Sequence, residues 1–183
     1  AQHRTLEQGL RGWVESQTRQ SLGYVEQLYT FGDRDRRSPG GGTARALSIG
    51  YLALVREPRQ AGAESVAWRD WYRYFPWEDW RRGRPAVIDA IEPWLRAWAT
   101  AAAGPGERRA RAERLAITFA TDGGSWSEDR VLERYELAYE TGLVAEAYAD
   151  GAAAGQGPPR GVGGEPMAGD HRRILATGIA RLR

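Results

Sequence analysis

The apolar pattern of this chain passes from strand-like alternation to helical spacing after its first third, and that change constrains the fold more than any other feature. Two stretches in the first 55 residues read as strands: Gly23-Tyr24-Val25-Glu26-Gln27-Leu28-Tyr29-Thr30-Phe31, rich in β-branched and aromatic residues, and Ala44 to Val55, which alternates. Gly32-Asp33 ends the first, and Arg34 to Arg37 with Ser38-Pro39-Gly40-Gly41-Gly42 separates it from the second. The two are therefore expected to pair through a long, Arg-rich loop. A further short strand is expected over Glu64 to Arg69. From residue 84 onward the spacing is helical. Helices are expected over 84–103 and 107–120, divided by Gly104-Pro105-Gly106, and from Ser127 as far as Ala149, with Val131, Leu132, Tyr135, Leu137, Ala138, Leu143 and Val144 on its apolar face. Gly, Ala and Pro dominate 151–166, a loop or linker before a terminal helix that Asp170 caps and that runs through Arg183. One helix precedes the strands, carried by Leu6, Leu10, Trp13 and Val14 over 5–18. Strands first and helices after place the chain in the α+β class.

Composition excludes several chemistries. The 183 residues suit one domain with a real core. Without cysteine there is no disulfide framework, thiolate zinc site, iron–sulfur cluster or cysteine nucleophile, and two histidines offer little for a metal cage. No run approaches the roughly 18 apolar residues of a membrane span, and the first residues lack the pattern of a signal peptide, so a cytoplasmic location without membrane attachment is expected. The 26 basic residues are all Arg and stand against 24 acidic ones, and a net charge of +2 is too small to imply nucleic acid. Guanidinium groups nonetheless suit bidentate contacts to phosphate and carboxylate.

Several motifs occur together in order: His3-Arg4-Thr5-Leu6-Glu7, Tyr24 to Asp33, Leu47-Ser48-Ile49-Gly50-Tyr51-Leu52-Ala53-Leu54-Val55, Pro76-Trp77-Glu78-Asp79-Trp80-Arg81, Leu132-Glu133-Arg134-Tyr135-Glu136-Leu137 and Asp170-His171-Arg172-Arg173-Ile174-Leu175-Ala176-Thr177. On these residues the chain resembles the Nudix-related transcriptional regulators of NAD metabolism in alphaproteobacteria. The resemblance implies a Nudix-like α/β/α sandwich, its first strands lying outside this sequence, with a helical C-terminal extension. Residues 1–67 would be the Nudix-like core fragment and 68–150 an aromatic segment and helical extension of the same domain. Residues 151–183 would lead towards a winged helix-turn-helix, beyond Arg183, that binds operator DNA. The implied function is effector sensing in a homodimeric repressor of NAD biosynthesis or salvage genes, the effector being an adenine nucleotide such as NAD, ATP or ADP-ribose.

An active Nudix hydrolase places carboxylates at i, i+3 and i+4 on one helical face, so that Mg²⁺ is held beside a pyrophosphate and activates water. Aligning Arg11 with the box arginine puts Gly12, Glu15 and Ser16 at those positions and His3 where an upstream Glu belongs. One carboxylate beside a hydroxyl holds Mg²⁺ weakly, so hydrolysis is expected to be lost, with no catalytic residue, metal site or cofactor. The loop Asp33-Arg34-Asp35-Arg36-Arg37 is the leading place for effector phosphates, and a solvated charge run is the competing reading. The expected effector-binding set is Arg11, Glu15, Glu26, Asp33, Arg36 and Arg37. Two rivals stand beside it: a Nudix hydrolase cleaving a nucleotide diphosphate such as ADP-ribose through Glu15, Glu26 and Asp33, and a dimerisation module with a vestigial pocket.

Other features read more simply. The aromatic run from Trp68 to Trp80 could stack a nucleotide ring, but core packing or a dimer contact is favoured. Asp79 is expected to cap a helix, and Asp170-His171 to be structural. Glu133, Arg134, Glu136 and Glu140 read as an ion-pair lattice along one helix.

Overall fold

A computed structural model describes residues 5–31, 47–56, 67–155 and 157–183. The chain divides into two compact units, residues 1–69 and 70–183. It is of the α+β class: mostly helical, with one antiparallel sheet of two strands among the described residues.

In the first unit, Thr5 opens α1 (Leu6–Thr18) by accepting the Gln8 N–H on its Oγ1 at 3.1 Å. Arg19 closes the helix in the left-handed region, φ 54°, its N–H bonded to the Glu15 carbonyl. Strands β1 (Val25–Phe31) and β2 (Ser48–Ala53) pair with Val25 opposite Ala53 and Phe31 opposite Ser48. The register shifts between Gln27 and Tyr29, so Leu28 is the extra residue of a bulge. The pairing runs on past the strand ends through Gly23 N–H to Leu54 O and Leu54 N–H to Tyr24 O. The strand expected over 64–69 is not found where it can be seen: Ala67 to Arg69 have no regular structure, and 64–66 lie outside the described residues.

The second unit is built around the aromatic segment. Asp70 Oδ1 accepts the Tyr72 N–H and starts a 3₁₀ turn at Trp71–Arg73, and a second such turn, Pro76–Glu78, follows with Pro76 leading it. Phe75 and Trp77 are fully buried in the core. Helix α2 (Val87–Thr100) lays Ile88, Ile91, Leu95 and Ala99 on them, the i, i+3, i+4 spacing of a single face. It forms a hairpin with α3 (Pro105–Phe119), which buries Leu115, Thr118 and Phe119. Pro105 and Gly106 belong to α3 instead of dividing the helices, since proline suits the first helical position, where no N–H is needed.

The long helix expected from Ser127 to Ala149 is two. Arg130 stands at the N-cap of α4 (Val131–Glu140), while the Ser127 hydroxyl bonds the Asp129 carboxylate. Gly142, at φ +71°, then turns the chain, with Leu143 N–H bonded to Ala138 O at 2.8 Å and the Leu143 and Val144 side chains driven fully into the core. The short α5 (Ala145–Ala149) follows. After the glycine-rich loop, α6 (His171–Leu182) packs on α4. Asp170 holds the N-cap position without making a capping bond; Arg173 Nη1 bonds its carboxylate at 3.3 Å.

Candidate functional site

Of the expected site residues, Arg11 and Glu15 lie on α1 and Glu26 on β1, all in the first unit. Arg11 is held by three hydrogen bonds. Its Nε donates to Glu7 Oε1 at 3.0 Å, and its Nη1 donates to the carbonyls of Leu22 and Gly23 at 3.0 and 3.1 Å. It thus ties the helix to the segment entering β1, and among the described residues its Nη2 makes no hydrogen bond.

Glu15 stands exposed one turn further along α1. Gly12 and Ser16 flank it on the exposed surface, and the Ser16 hydroxyl donates back to the Trp13 carbonyl at 2.7 Å. Glu26, half-buried on β1, accepts the Tyr24 hydroxyl at 3.0 Å. Asp33, Arg36 and Arg37, with the rest of the 33–37 loop, lie outside the described residues, as does His3. Among the described residues, no three His, Asp or Glu side chains group closely enough to hold a metal ion.

A cavity of about 260 Å³ opens in the same unit, between α1 and the end of the hairpin. Val14 and Thr18 face it from α1, Leu22 from the segment that Arg11 holds, Ala53 from the end of β2, and Trp68 from beyond the hairpin. Gln20, almost fully buried, lines it as well. The Thr18 hydroxyl donates to Val14 O at 2.7 Å and accepts the Gln20 N–H at 3.2 Å. Trp68 is 59% exposed, unlike Phe75 and Trp77 in the other unit. The aromatic run is therefore two things: a packed core from Trp71 on, and one tryptophan at a cavity. Sequence reasoning named Trp68 only as part of the run, and the alternation of core and surface within it left no periodic signal to separate the two.

Two arginines of the second unit are buried in ion pairs. Arg134 is fully buried, with Nε and Nη2 on the two carboxylate oxygens of Glu78 at 2.5 and 2.8 Å and Nη1 on the carbonyls of Thr118 and Ser127. The Trp126 ring lies 3.9 Å from the guanidinium carbon. Arg172, also fully buried, bonds Glu146 Oε2 at 3.2 Å and the carbonyls of Tyr74 and Gly163. The Glu133–Glu140 lattice expected along one helix is replaced by pairs to other elements: Arg134 with Glu78, Glu136 with Arg173 at 2.6 Å and Glu140 with Arg114. Asp79, expected to cap a helix, binds Arg81, whose Nε stands at 2.7 Å. That guanidinium, the largest influence on it, holds the Asp79 carboxyl below the usual range.

No known protein-family model matches the chain, and no curated protein matches it. Among the described residues, no helix is long and apolar enough to cross a membrane.

Proposed function

We propose that this chain is the effector-sensing, Nudix-like portion of a transcriptional repressor of NAD biosynthesis or salvage genes, binding an adenine nucleotide without hydrolysing it. The reading extends the observed α+β fold to a Nudix-like α/β/α sandwich and rests on the motif resemblance. The observation that carries it is the state of α1. The helix presents Glu15 on its exposed surface, flanked by a glycine with no side chain and by a serine whose hydroxyl is turned onto the helix backbone. A helix that carries one carboxylate, Glu15, where the resemblance implies three supports binding over turnover, since Mg²⁺ needs several hard oxygen ligands in octahedral array. An effector must also survive long enough to report its concentration.

In this mechanism the nucleotide binds against α1, shifts the geometry of a homodimer and moves attached winged helices off their operator; its differential affinity for the two states does the work. Calorimetric titration of ADP-ribose, NAD and ATP with Mg²⁺ tests the first step. Saturable heats on a flat baseline are expected. A sustained heat of turnover, abolished in Glu15→Gln, would identify a hydrolase instead.

A further inference from the structure

We infer that the cavity beside α1 is a ring site: it takes the planar heteroaromatic ring of a mononucleotide against Trp68, with the attached phosphate at Arg11. This deepens the effector-binding reading and rests on it for the class of ligand.

Size comes first. Pockets for drug-sized ligands run from roughly 300 to 1,000 Å³. At about 260 Å³ the cavity is too small for a dinucleotide and suits one ring system. Its walls are Val14, Leu22 and Ala53, apolar surface of the kind a ring face prefers, and the exposed Trp68 indole offers a stacking partner. The polar part is confined to Thr18 and Gln20.

The helix supplies the second half. Arg11, Val14 and Thr18 are spaced i, i+3 and i+7, which places them on one stripe of α1. Arg11 also grips the carbonyl of Leu22, itself a wall of the cavity. With Nε and Nη1 engaged, the fork keeps the two N–H groups of Nη2 for an anion next to the Leu22 segment. A guanidinium so held is already oriented, and an anion joined to the ring by a short linker falls within its reach.

The test titrates adenosine, AMP and nicotinamide mononucleotide into the chain and into two variants. Trp68→Ala removes an exposed ring, so the fold is retained, and circular dichroism checks this. Stacking on an aromatic side chain predicts a loss of about 5- to 160-fold in affinity for all three ligands. Arg11→Gln frees the Leu22 wall as well as the anion contact, so it should weaken AMP by a larger factor than adenosine and erase the preference for AMP. Ala53→Leu, which fills the cavity, serves as a second route and should abolish ring binding. Binding of mononucleotides with unchanged affinity in both Trp68→Ala and Ala53→Leu would overturn the site. NAD or ADP-ribose binding that ignores the same two variants would overturn the ring site and leave the sensor reading standing. Mononucleotides that bind through Trp68, while NAD and ADP-ribose bind no more tightly than they do, would uphold the site and undo the effector assignment.

Discussion

Arg134 of α4 and Glu78 of the aromatic segment, 56 positions apart, meet fork to fork inside the core with both side chains removed from solvent. Burial, the largest influence, pushes the Glu78 carboxyl above its ordinary value of 4.5, while Arg134 pulls it down. A folded value above the unfolded one means the folded chain binds the extra proton. Stability from this group is therefore full below pH 4.5 and is lost as pH rises through the folded value. Arg134→Met removes the opposing pull. We expect a loss of about 3–5 kcal/mol at pH 7, shrinking as pH falls towards 5 more than in the unaltered chain. Urea denaturation at the two pH values reads this, and parallel pH profiles would refute it. Replacing both partners, Glu78→Leu with Arg134→Met, should recover much of the loss.

Two glycines of the 151–169 loop separate backbone strain from crowding. Gly161 and Gly164 both have positive φ, +78° and +71°. A Cβ on Gly161 meets nothing within 4 Å, whereas one on Gly164 would lie 2.4 Å from the Tyr74 carbonyl oxygen and 2.8 Å from Arg172 Nη2. Gly161→Ala should cost about 1–2 kcal/mol, the left-handed penalty alone. Gly164→Ala should cost clearly more and disturb the Arg172 contacts. Equal thermal midpoints for the two variants would show that the loop yields freely.

Ala120 ends α3 with φ 52° and ψ 38°, a conformation in which its methyl group is a liability. Ala120→Gly should stabilise the chain by about 0.5–1 kcal/mol, after the larger entropy of the unfolded glycine is counted. Guanidinium denaturation would show a raised midpoint at constant slope; a lowered midpoint contradicts the expectation.

The reading of α1 as a box without its metal ligands makes a constructive prediction. In Gly12→Glu/Ser16→Glu, carboxylates would join Glu15 in the i, i+3, i+4 array that a Mg²⁺ site uses. Removing a helical glycine favours the helix by about 0.5–1 kcal/mol, and repulsion between the new like charges opposes this in the absence of metal. Addition of Mg²⁺ should then raise the melting temperature of the double variant and leave the parent unmoved. A variant indifferent to Mg²⁺ would count against the alignment of Arg11 with the box arginine.

How much of this was legible depended on how local each signal is. An apolar stripe over 5–18, a β-branched and aromatic run closed by a glycine, and a Gly-Pro-Gly break announce α1, β1 and the boundary between α2 and α3 within a few residues, and those elements form about where expected. The break at Gly142 was missed because Leu143 and Val144 keep an apolar pattern that a continuing helix also produces; the tertiary core, not the period, takes them. Arg134 looked like one charge in a helical lattice, since nothing local announces that Glu78 waits 56 positions away. The candidate site divides in the same way. Arg11 and Glu15 follow from one turn of helix, whereas the cavity needs Val14, Ala53 and Trp68 brought together from three separate segments. Asp33, Arg36 and Arg37 lie outside the described residues.

The placement of Arg134 and Arg172 sorts the ion pairs of the second unit into two populations that respond to opposite perturbations. Pairs at the surface, such as Arg96 with Glu92 and Arg73 with Glu165, sit in water and fade as ionic strength rises. The interior pairs are shielded from dissolved salt, and their cost of dehydration falls on heating. Brine would thus loosen the rind of the unit and leave its kernel clasped, while warmth would ease the penalty that the kernel carries when cold.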